Sequence, residues 1–182
     1  MLKKIWKFLW YEDSLLSWIV SIILAFLIVK FLVYPGLGLI LGTTHPVVAV
    51  VSSSMHHDGN FEQWYSEKGV WYEQHNYSKE EVRKWPFSNG FNKGDIMVLK
   101  KANNIRNGDV IVFSGNSNNP IIHRVVLIRD NYYQTKGDNN PDSFRQLGET
   151  DIKDEQMIGK AVLRIPFLGY VKILFTGVLG GI

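Results

Sequence analysis

Thirty-one consecutive residues, Ser14–Thr44, carry a single charge, Lys30, and nothing else in the chain restricts its folding so strongly. The densest stretch, Leu15–Tyr34, has the length of a helix spanning ~30 Å at ~1.5 Å per residue, the thickness of a bilayer's hydrocarbon core. In hydrocarbon each backbone N–H and C=O must bond within its own segment, so a helix is the spanning form this run can take. Lys30 is close enough to the far end to snorkel its ammonium to the interface, and Trp18 and Tyr34 suit the two aromatic belts. A removable signal peptide has an apolar core of ~7–15 residues followed by small side chains. Here Phe31-Leu32-Val33-Tyr34 stands where the small residues belong. A transmembrane helix is therefore expected over residues 14–36. Lys3, Lys4 and Lys7 precede it, which places an N-terminal tail, 1–13, in the cytoplasm and residues 37–182 on the other side.

The charges are otherwise balanced. Of the formal net +3, residues 1–30 hold +2 and the remaining 152 residues only +1. That is no electrostatic footprint for nucleic acid, and no nucleic-acid partner is expected. The absence of cysteine excludes disulfides, thiolate metal sites, iron–sulfur clusters and a cysteine nucleophile. Past Pro35-Gly36-Leu37-Gly38, read as a helix-ending cluster, the pattern changes to short β-type runs punctuated by turns. These are Pro46–Ser53, Asp95–Leu99, Asp109–Phe113, Ile121–Arg129, Tyr132–Thr135 and Met157–Arg164. The expected fold is mainly β: one transmembrane helix followed by a compact antiparallel β domain. An aromatic-rich, partly helical insertion at 59–93 interrupts it, with a short helix expected from Lys79, where Ser78 and Glu81 form a capping box, to Pro86. The stretch 165–182 reads as a final strand or a surface-lying membrane contact. Asn76-Tyr77-Ser78 is a glycosylation sequon usable on the extracytoplasmic side.

Three features are suited to hydrolytic chemistry. An apolar run ends in Ser52-Ser53-Ser54, and a serine hydroxyl becomes an effective nucleophile only with a base in hydrogen-bond reach. Of the five histidines, His123 alone lies inside a strong strand, on the face of Val125 and Leu127. Lys136-Gly137-Asp138-Asn139-Asn140-Pro141-Asp142 supplies two carboxylates to orient an imidazole. His56 and His57 point to opposite faces if extended and make poor co-ligands, so no metal or other cofactor is expected.

In order along the chain stand an anchor, Ser52-Ser53-Ser54-Met55, Ile122-His123-Arg124-Val125, Lys136-Gly137-Asp138-Asn139-Asn140 and Ile165-Pro166-Phe167-Leu168-Gly169. Together they resemble the type I signal peptidase family, in its archaeal and endoplasmic-reticulum branch, where histidine replaces the lysine base of bacterial members. The resemblance covers most of the chain outside 59–93. It implies Ser54 as nucleophile, His123 as general base, and Ser52 with Ser54 at the oxyanion hole. It also implies Asp138 and Asp142 as the acids, with Asp142 favoured as the partner of His123 and Asp138 as a structural acid. Ser53 stands where the family has glycine, His56-His57-Asp58 where a proline often follows, and Asp142 comes only four residues after Asp138. The implied activity is a membrane-bound serine endopeptidase cleaving N-terminal signal peptides from exported preproteins. Its partners would be those preproteins, membrane lipid, and the export translocon or accessory subunits, at an archaeal plasma membrane in preference to the endoplasmic reticulum. Two other classes remain open: a self-cleaving protease of the repressor type, and an inactive membrane-tethered β module with a binding or assembly role.

Overall fold

The computed structural model describes residues 2–130 and 132–169; the side chains of Leu2, Lys4, Ile5 and Leu9 are not among those described. The chain begins with helix α1, Leu2–Tyr11, and helix α2, Leu15–Ile28. Ser14 caps α2, its side chain accepting from the Ser17 N–H, a contact that typically contributes ~1 kcal/mol. A π-helical turn, Val29–Val33, joins α2 to helix α3, Tyr34–Leu41, so Leu15–Leu41 is one continuous 27-residue apolar helix. The helix thus runs past Pro35, where the sequence suggested an end. In the π turn the Tyr34 N–H reaches back five residues to the Val29 carbonyl. This wider turn makes room for the Pro35 ring, which in a regular α-helix clashes with the carbonyl one turn before it. Gly42, at φ +65°, closes the helix in the left-handed conformation that glycine adopts without strain.

Beyond the helix the fold is mainly β. Six strands form one antiparallel sheet: β1 Val47–Ala49, β2 Ile96–Lys100, β3 Val110–Phe113, β4 Ile121–Arg129, β5 Tyr132–Lys136 and β6 Met157–Ile165. Their spatial order is β1-β2-β6-β3-β4-β5, with β1 and β5 at the edges. Strand β3, flanked by β6 and β4, is buried along its whole length. Val110 and Val112 join Val50, Met55, Phe91, Met97, Leu99 and Ala161 on one side. Ile111 and Phe113 pack with Val125 and Ile152 on the other. A fully apolar four-residue run is what a strand covered on both faces requires.

The insertion forms a third cluster. Helix α4, Phe61–Gln74, starts at a capping box in which Asn60 and Gln63 exchange side-chain and backbone bonds. Helix α5, Lys79–Lys84, starts at Ser78 and ends at Trp85, before Pro86. Phe61, Trp64, Tyr65, Tyr72, Val82 and Trp85 bury one another against Val126 of β4. The aromatic insertion is therefore attached to the sheet face opposite His123. At the described end of the chain, the Phe167 N–H donates to Asp95 and the Gly169 N–H to the Gly94 carbonyl. Part of the 165–182 stretch, from residue 170 on, lies outside the described residues.

Candidate active site

The strand expected over 46–53 is paired only at Val47–Ala49. Val50 then bonds Asp95 and Gly94 through its backbone, and residues 52–55 turn away from the sheet. This departure sets Ser54 at the head of a tight turn, half-buried, above fully buried Met55. Two segments hold the turn. The Phe91 N–H donates to the Met55 carbonyl, and the Asn139 N–H donates to the Ser54 carbonyl at 2.8 Å. The Ser54 hydroxyl lies 2.8 Å from His123 Nε2 and 3.0 Å from the Ser52 hydroxyl.

His123 sits in β4 directly opposite Ile111, buried on the face of Val125. Its Nδ1 is bonded to a carboxylate oxygen of Glu149. The same oxygen is 3.4 Å from the Thr135 hydroxyl, and the other accepts the Phe144 N–H at 2.6 Å. Glu149 is wholly buried. With a carboxylate at Nδ1, that nitrogen carries the proton, which leaves the Nε2 lone pair facing the Ser54 hydroxyl.

Asp142, favoured by the sequence as the partner of His123, does not reach it, and Asp138 has the structural place expected of it. Asp138 lies beyond the end of β5, on the face of Lys136 and Arg124. Successive residues of β4 point to opposite faces, so Arg124 meets Asp138 while His123 turns away. The Arg124 guanidinium donates to both Asp138 oxygens, at 2.8 and 2.7 Å. His57 Nε2 lies 2.9 Å from one oxygen and the Tyr72 hydroxyl donates to the other at 3.1 Å. Burial opposes ionisation of Asp138, but Arg124, helped by the His57 hydrogen bond, holds its carboxyl well below the usual carboxylate range. Asp142 is exposed and accepts from the Trp71 indole at 3.0 Å. It anchors the loop to the insertion.

Glu149 was missed because nothing local distinguishes it. Its contact depends on residues 137–148 reversing the chain so that Ile152 bridges Tyr133 and the Glu149 carbonyl accepts the Thr135 N–H. His56 and His57 diverge, as alternation suggested: His56 Nε2 pairs with Asp58 and His57 with Asp138. Lys136 is buried beside the site with its ammonium 5.0 Å from the Trp71 and Tyr72 ring centroids. Burial pushes it down to about 8, against the opposing pull of Asp138 and Asp142.

Next to the turn runs an apolar groove of about 540 Å³ lined by Val47, Val48, Ala49, Val51, Val112 and Ile122, and reaching Tyr34 of the long helix. Its wall, β1, is an edge strand.

A hydroxyl, an imidazole and a carboxylate in hydrogen-bonded series, on an antiparallel sheet behind a bilayer-length helix, define a membrane-anchored protein with a serine-hydrolase type of site. The chain is similar to curated proteins named signal peptidase complex catalytic subunit SEC11. That of Fusarium vanettenii is 28% identical over 157 residues, covering 80% of this chain and 73% of the relative. That of Colletotrichum graminicola matches at the same identity and extent. The human protein named signal peptidase complex catalytic subunit SEC11C is 27% identical over 156 residues, 80% of this chain and 65% of the relative. No family model matches the chain. These likenesses support the type I signal peptidase family, in the branch that holds these eukaryotic catalytic subunits, as the family this chain resembles. These relatives are fungal and mammalian, and they lend no support to the archaeal membrane expected from the sequence.

Proposed function

We propose that the chain is a membrane-bound signal peptidase, a serine endopeptidase in which Ser54 attacks the scissile carbonyl and His123 is general base. The observation that supports this most directly is the 2.8 Å approach of the Ser54 hydroxyl to His123 Nε2, with Glu149 on the opposite ring nitrogen. As Ser54 attacks, its proton passes to Nε2 and the ring becomes an imidazolium between serine and carboxylate. The proton then goes to the leaving amine, and a water molecule repeats the sequence to release the acyl group. The Ser52 hydroxyl, 3.0 Å from the nucleophile, is in reach of the oxyanion together with the Ser54 backbone N–H. A histidine base operates near neutral pH without the deep burial that a lysine base demands. It also separates this site from the lysine-dependent repressor-type proteases.

The substrate class follows from the groove and the anchor. A preprotein presents its cleavage site in extended form just beyond an apolar helix. The free edge of β1 suits such a segment as an added strand, with its side chains in the apolar groove. The groove's reach to Tyr34 brings the long helix, and the bilayer around it, beside the substrate's own apolar helix. Tethering both in one membrane raises their effective concentration. In this reading residues 1–13 are the cytoplasmic tail, the long helix is the span, and the sheet with its insertion is the extracytoplasmic catalytic domain. Accessory subunits are further partners, since the relatives are named as subunits of a complex.

The test is cleavage of a signal-bearing preprotein by the detergent-solubilised full chain. Ser54→Ala and His123→Ala are each expected to lower kcat by ~10²–10⁴, and Ser52→Ala by ~10²–10³. A Ser54→Ala protein that still cleaves at the wild-type rate ends the proposal.

A further inference from the structure

Helix α1 takes no part in the site, and its pattern is strongly two-sided. Over LKKIWKFLWY the apolar positions 2, 5, 6, 9 and 10 fall in one arc at helical spacing and Lys3, Lys4 and Lys7 in the adjoining one, with Phe8 and Tyr11 on the lysine side. There is no acidic residue within the helix; Glu12 and Asp13 lie in the connection to α2. Trp6 and Trp10, one turn apart, stack with ring centroids 4.6 Å apart, and both are exposed. Lys3 and Lys7 are exposed as well.

The short connection to α2 restricts where α1 can lie. Only residues 12–14 separate it from the bilayer-length helix. Three residues reach at most ~10 Å, about one Debye length at physiological ionic strength. The Ser17 hydroxyl of α2 also donates to the Phe8 carbonyl at 2.6 Å, holding the two helices together. The lysines of α1 are thus kept within the field of whatever headgroups surround the start of the span, while Trp10 lines a groove with Ser21, Leu24, Ala25 and Ile28 of α2, on the hydrocarbon side. From this geometry we infer that α1 is an interfacial helix that lies on the membrane and binds anionic lipid headgroups through Lys3, Lys4 and Lys7, with the Trp6–Trp10 face toward the acyl chains. The inference rests on the membrane span and is independent of the hydrolytic reading. Each lysine near an anionic surface strengthens the association roughly fivefold.

The chain has no cysteine, so single labels can be introduced cleanly. Spin labels at Ile5→Cys, Lys7→Cys and, as a reference in the span, Leu24→Cys would be compared in the full-length protein. The vesicles would be phosphatidylcholine with and without phosphatidylglycerol, and collisions with oxygen and an aqueous nickel chelate would be measured. With phosphatidylglycerol, the label at position 5 is expected to be shielded from nickel and that at position 7 open to it. Shielding at position 5 should fall at least about tenfold, in bound-to-free ratio, without phosphatidylglycerol or with Lys3, Lys4 and Lys7 all changed to Gln. Equal nickel access at positions 5 and 7 in anionic vesicles overturns the inference, and so does shielding that ignores lipid charge. A label at position 24 that nickel reaches overturns the span itself, and with it the role of α1, while preprotein cleavage would report separately on the catalytic reading.

Discussion

At the scale of single residues, Glu149 and Lys136 carry the most specific expectations. Glu149→Gln leaves the size of the side chain unchanged but replaces an acceptor with an amide that can donate to Nδ1. That favours the wrong tautomer of His123, so kcat for preprotein cleavage should fall by ~10²–10⁴ with little change in KM. Asp142→Asn removes an exposed acid that meets Trp71 and not His123, and should retain activity within a few-fold. The reverse ranking would return Asp142 to the position the sequence suggested. Lys136 is a different case, a buried amine with one hydrogen bond, to the Gly137 carbonyl at 3.1 Å. Its folded value of about 8 lies below the ~10.4 of a free lysine. Between those values the unfolded chain binds the extra proton, so folding stability should rise with pH across that window, by on the order of 2–3 kcal/mol in total. Below about 8 both states are protonated and the cost of burial is constant. Thermal unfolding in detergent at pH 7.5 and pH 10 would show the rise in the wild type and its loss in Lys136→Met.

At the scale of elements, the turn after β1 depends on segments far away in the chain. Gly90 has φ +65°, and a Cβ there would stand 2.5 Å from both the His57 ring and the Met55 carbonyl. The loop before β2 therefore approaches the turn that carries Ser54 as closely as only glycine permits. Gly90→Ala is expected to cost roughly 1–3 kcal/mol from strain and overpacking. It should also slow cleavage, because the turn that carries Ser54 must shift. A variant with unchanged melting temperature and unchanged kcat would show that the turn is not braced from this side. The insertion is legible in part at this scale. Ser78, Glu81 and Pro86 bound α5 as their chemistry requires. The 14-residue α4 was not anticipated, although its buried aromatics Phe61, Trp64, Tyr65 and Tyr72 fall on one face at helical spacing.

Across the whole molecule, Asp138 joins three parts: the segment after Ser54 through His57, β4 through Arg124, and the insertion through Tyr72. Asp138→Asn leaves the Arg124 charge buried without its partner, for which ~3–5 kcal/mol of destabilisation is expected at neutral pH. Because the folded Asp138 is held well below its ordinary range, its contribution is complete above the unfolded value of ~3.9 and fades as pH falls from there through the folded value. The gap in melting temperature between wild type and Asp138→Asn should therefore close in strong acid; a gap that persists would place the stabilisation elsewhere. The same residue shows how far the sequence alone reaches. The anchor, the six strands, the antiparallel class and the pairing of Ser54 with His123 were all legible. Local pattern determines which residues prefer hydrocarbon and which alternate on a strand, while the resemblance of short motifs to a known family singles out Ser54 and His123. The carboxylate on His123 and the burial of Lys136 were decided only by tertiary structure, whereas the passage of the helix beyond Pro35 rests on a local π turn with no buried residue. A strand has two faces, and spacing does not say which of several nearby acids the chain's return path delivers to which face; there the fold directs Asp138 to Arg124 and Glu149 to His123.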